Sequence, residues 1–97
     1  MLLGVVRQEL LTGISDSDFF ESLRNHLRDF DDPVLAVDDY ERAADFANQC
    51  RSKGLSTTPV DILICSVSAG YDFPILTTDH DFDLYARILP INLLPHA

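Results

Sequence analysis

Residues 75–83 read Ile75-Leu76-Thr77-Thr78-Asp79-His80-Asp81-Phe82-Asp83, an apolar run that stops abruptly at three aspartates set two apart. Taken with Pro74, the run 74–78 reads as a strand, and that reading decides the fold. After it, a short helix is expected around Phe82 to Arg87, then a last strand near Ile91 to Leu94, closed by Pro95. Before it lies Val60 to about Ala69, a helix apolar nearly all round, opened by the loop Ser56-Thr57-Thr58-Pro59 and closed by Gly70. Earlier still, Tyr40, Ala43, Ala44, Ala47 and Cys50 form the stripe of a helix that Asp38 caps and Gly54 stops. Val34-Leu35-Ala36-Val37 is a short continuous apolar run, as expected of a buried parallel strand. At the front, Val5 to Thr12 has helical spacing and ends at Gly13. Ser15 or Asp16 caps the next helix, whose Phe19, Phe20, Leu23, Leu27 and Phe30 fall on one face until Asp31-Asp32-Pro33 breaks it. Strands alternating with helices predict right-handed crossovers and a parallel sheet covered on both faces, so the expected class is α/β, in one domain spanning 1–97. A helix stands first, with no strand ahead of it.

Sixteen acids against seven Lys and Arg leave the 97 residues at −9. That balance argues against non-specific adhesion to nucleic acid or to an anionic membrane, and it favours a basic protein partner. It does not exclude an enzyme acting on nucleic acid if divalent cations neutralise a local carboxylate cluster. No apolar run approaches the ~18 residues of a membrane helix. The opening Met1 to Val6 has no basic lead and is closed by Arg7, unlike a signal peptide, so a cytosolic protein is expected. Cys50 and Cys65 lie within helical patterns without metal-ligand spacing and read as buried reduced thiols.

Like charges packed as closely as Asp79, Asp81 and Asp83 repel unless something positive sits among them. Asp79 follows directly on the expected strand, where open parallel sheets bind ligands, and Asp81 shares its loop. Either could instead cap the following helix. Asp61, after Pro59 at the start of an apolar helix, is either a first-turn acid favoured by the helix dipole or a ligand. Glu9 lies mid-helix among apolar neighbours, either exposed or a third ligand. A hard divalent cation takes oxygen ligands, one or two of them direct carboxylates, so acids from three segments suffice for one or two ions. The Asp79-x-Asp81-x-Asp83 spacing also suggests a calcium loop, but the glycine position holds Leu84 and the twelfth position holds Pro90, so the EF-hand reading fails.

"VVRQELLTG", "TTPVDILICSVSAGYDFPILTTDHDFDLYARILPINLLP" and the interval between them resemble the later two-thirds of a PIN domain, nearest to the toxin subunit of VapBC-type toxin–antitoxin pairs. The most specific part is Pro-x-Asp opening an apolar helix, a Gly closing it, then Leu-Thr-x-Asp-x-Asp-Phe. The resemblance implies a three-layer sandwich with a short parallel sheet, here lacking the family's first, central strand and its aspartate. It implies a ribonuclease using Mg²⁺ or Mn²⁺, with Glu9, Asp61 and Asp79 as catalytic metal ligands and Asp81 as a further ligand. Thr77 or Thr78 would orient phosphate. RNA is the implied substrate and a basic antitoxin the implied partner. The open strand edges invite a homodimer. The departure at the front implies an internal start or a truncated homologue. The alternative function is a catalytically impaired binding module that pairs with an antitoxin or with itself.

Overall fold

The computed structural model describes residues 3–94. The expected closure at Pro95 therefore lies outside the described residues. The chain forms two compact units, Met1–Val34 and Leu35–Ala97.

In the first unit, α1 (Gly4–Leu11) packs on α2 (Ser17–Leu27). Gly13 ends the α1 segment at φ +86°, a conformation that glycine adopts without steric cost. Asp16 caps α2, its Oδ1 accepting from the N–H groups of Asp18 and Phe19. That satisfies two of the amides a helix start leaves without partners. Leu3 and Leu27 are buried. Arg7 ties the segment after α2 back to α1, donating to the Phe30 carbonyl and pairing with Asp32 at 2.9 Å.

In the second unit, α3 (Val37–Ser52) packs along α4 (Pro59–Tyr71), and α5 (Asp81–Ala86) follows. The α3 face that is buried holds Asp39, Ala43, Phe46 and Cys50, one position round from the stripe expected through Tyr40 and Ala44, which are exposed. From α4 come Ile62, Leu63, Cys65 and Val67, and the tail adds Ile75, Phe82, Tyr85, Leu89 and Ile91. A polar clasp fixes the pair of long helices. Ser66 Oγ donates to the Asp39 carbonyl at 2.6 Å, and Arg42 Nη1 reaches both Asp39 Oδ1 and the Ser66 carbonyl. Both cysteines are fully buried and free. No helix among the described residues is long and apolar enough to cross a membrane.

The expected α/β class is overturned. The described residues are 58% helix and 2% strand with no sheet, so no three-layer sandwich around a parallel sheet is formed among them. Two of the expected strands survive as one isolated parallel bridge, Ile75 with Leu93. Ile75 N–H donates to the Asn92 carbonyl and the Leu94 N–H donates to the Ile75 carbonyl, both at 2.8 Å. Pairing goes no further, and Leu76 is 70% exposed. The third expected strand is absent. Val34 and Val37 are 86% and 71% exposed, and Val37 already belongs to α3. The cause is local: Asp39 Oδ2 accepts the Ala36 N–H at 2.9 Å, which starts the helix just before the expected cap, Asp38. A short apolar run is ambiguous between strand and helix, and here helix-start chemistry won.

Candidate metal centre

Three of the singled-out acids converge in the second unit. One carboxylate oxygen from each of Asp61, Asp79 and Asp81 lies within 4.8 Å of the others. Asp61 is in the first turn of α4, where Thr58 caps the helix by accepting the Asp61 N–H on Oγ1 at 3.1 Å and Pro59 opens it. The 79–81 loop is wound by its own side chains. Thr77 Oγ1 accepts the Asp79 N–H at 3.0 Å, and Asp79 Oδ1 accepts the Asp81 N–H at 2.9 Å as α5 begins. Asp79 thus caps one amide of its loop and also offers a carboxylate oxygen to the cluster. Asp61 is half-buried, whereas Asp79 and Asp81 are exposed.

A fourth side chain belongs here that the sequence reading passed over. Tyr85, buried on α5 and edge-on to Phe82 with ring centroids 5.2 Å apart, donates its hydroxyl to Asp61 Oδ2 at 3.3 Å. Burial, then the Asp61 charge and this hydrogen bond, hold the phenol well above its ordinary range, so it remains a donor at neutral pH. The signal was available. Phe82 and Tyr85 stand three apart on one face of a short helix, and a buried tyrosine hydroxyl needs a partner.

Among the described residues, no Lys or Arg forms a salt bridge with Asp61, Asp79 or Asp81. His80 reaches Asp83, with Nδ1 3.3 Å from Oδ2. The donor set is all oxygen and carries three negative charges, which suits a hard divalent cation keeping several waters. Thr77 is half-buried with its Oγ1 engaged by Asp79, and Thr78 is exposed beside it. Glu9 stands exposed on α1 of the first unit, and the group is built wholly from the second. The most buried acid of the chain, Asp39, is absent from the group and serves the clasp between α3 and α4. No family model matches the chain, and no curated protein matches it.

Proposed function

We propose that this chain is a metal-dependent endoribonuclease acting in the cytoplasm, with Mg²⁺ or Mn²⁺ held by Asp61, Asp79 and Asp81. One observation carries the reading: three carboxylates from two separate segments bring one ligand oxygen each within 4.8 Å of one another. Such a cation, when bound, supplies a water of lowered pKa as nucleophile and charge stabilisation at the phosphorus. The chain's own residues orient the ligands. Tyr85 holds Asp61 by its hydroxyl, Thr77 fixes the Asp79 backbone, and Asp79 fixes that of Asp81. Thr78, exposed at the loop, is the candidate contact for a phosphate oxygen. The substrate class rests on the resemblance of Pro59-Val60-Asp61 and of Leu76 to Phe82 to the PIN-domain ribonucleases. Glu9 is the remaining candidate ligand. The net charge of −9 supports a basic antitoxin as partner.

The test is cleavage of single-stranded RNA. Activity is expected with Mn²⁺, and it is lost on chelation and in both Asp61→Asn and Asp79→Asn. Equal cleavage by wild type and both variants would refute the reading. Glu9→Gln decides whether the first unit contributes a ligand.

A second reading, a binding module that pairs with itself or with an antitoxin, is favoured by the one-sided pairing of Ile75 and the exposed Leu76 beside it. RNA-inactive protein that sediments as a dimer would select it.

A further inference from the structure

We infer that the first unit carries a second site, a phosphate-binding cleft formed by Arg7, Arg24 and Arg28 that takes a nucleotide phosphate with its base against Phe30. The cleft has a volume of about 540 Å³, and its lining includes these three arginines with Phe30, Asp31 and Asp32. That volume lies within the range of small-molecule sites, ~300–1,000 Å³.

Charge makes the cleft unusual for this chain. The protein holds only seven Lys and Arg against sixteen acids, yet three of the seven line one cleft. Guanidinium groups gathered in this way repel one another unless anions lie between them. The protein supplies part of the answer, since Asp32 pairs with Arg7 at 2.9 Å. Arg24 and Arg28 form no side-chain hydrogen bond or ion pair with the described residues of the first unit.

Among the described residues, the Nε atoms of Arg7 and Arg24 have no hydrogen-bond partner and are closed off from solvent, so a ligand in the cleft is met by the outer guanidinium nitrogens. The guanidinium fork matches a phosphate in a bidentate manner. Phe30 is 53% exposed at the same cleft, an aromatic face on which a base can stack.

The inference is independent of the metal centre, because every residue it uses lies in the first unit and no cation is required. The experiment follows the arginine side-chain NMR resonances of the whole chain. The probes are uridine monophosphate, an oligouridylate whose phosphates are all diesters, and uridine itself. Saturable shifts of the Arg7 and Arg24 side-chain signals with a phosphorylated probe, and none with uridine, are expected. Binding should weaken ~10-fold in Arg24→Gln and in the more exposed Arg28→Gln, as loss of one charge-assisted contact implies. Shifts with the oligouridylate assign a strand phosphate, and shifts with the monophosphate alone assign a free nucleotide; either outcome supports the site. The same shifts are expected in Asp79→Asn, so failure here is separable from failure of the nuclease reading. No saturable shift with either phosphorylated probe, or unchanged binding in both arginine variants, overturns the inference.

Discussion

Replacing Asp79 with asparagine should reverse the stability order of the two proteins when Mn²⁺ is added. Asparagine keeps an Oδ1 to accept the Asp81 N–H at 2.9 Å, so the loop is preserved and only the charge is removed. Two unit charges at the 4.8 Å limit of the cluster repel by about 0.9 kcal/mol in water's dielectric. A Debye length of ~8 Å at physiological salt reduces each pair to roughly 0.5 kcal/mol. Asp79 takes part in two pairs, so removing its charge relieves about 1 kcal/mol, offset by ~0.3–0.5 kcal/mol of lost attraction to the start of α5. The variant should therefore unfold ~2–4 °C above wild type in chelator. With Mn²⁺ at ~100 times its dissociation constant, wild type gains about 2.7 kcal/mol, and a ligand loss that weakens binding 10-fold takes ~1.4 kcal/mol of this from the variant. Wild type then leads. Thermal unfolding followed by circular dichroism, with chelator and with Mn²⁺, reads both orders. Equal Mn²⁺ shifts in the two proteins, or a variant less stable than wild type in chelator, would refute the reasoning.

Three further outcomes follow from the second unit. Tyr85→Phe keeps the buried ring but removes the donor to Asp61, which should cost about 1 kcal/mol in urea unfolding and weaken Mn²⁺ binding ~10-fold by calorimetry. On pH, the folded protein holds the Tyr85 proton more tightly than the unfolded chain does. Its contribution is complete below about pH 10 and is lost as the pH rises toward the folded value. The Cys65 thiol, pushed up to about 12 chiefly by burial, with Cys50 and Asp61 adding, starts the same decline earlier, from its ordinary ~8.5. Urea midpoints against pH should therefore bend down above pH ~8.5 in wild type, and Tyr85→Phe should flatten only the part above pH ~10. A Cβ at Gly70 would stand 2.5 Å from Arg42 Nη1, so Gly70→Ala must push the guanidinium off Asp39 and the Ser66 carbonyl. Its helix-propensity gain of ~1 kcal/mol should then appear only in an Arg42→Ala background, in a double-mutant cycle.

The helices were legible because their signals are local. Asp16, Gly13 and Gly54, each at or beside an observed helix end, could be read from residue type alone. The sheet was not legible, because a strand is defined by its neighbour. Ile75 and Leu93 found each other, but Val34 to Val37 carried only an apolar run, and the capping carboxylate of Asp39 drew Val37 into a helix. At Gly70 a stop signal was misread: the helix runs on to Tyr71 and ends at Asp72, whose φ of +56° provides the left-handed cap. In the site, Asp79 and Asp81 were marked by repulsion between near neighbours. Tyr85 was missed because its tie to Asp61 spans 24 residues and depends on how α5 docks.

The most direct measurement is the anomalous signal of Mn²⁺ in crystals grown from the whole chain. The account predicts a peak bounded by Asp61, Asp79 and Asp81, at the ~2.0–2.6 Å from carboxylate oxygen that hard divalent cations keep. Peaks confined to other acids of this highly acidic surface, with none among these three, would contradict it.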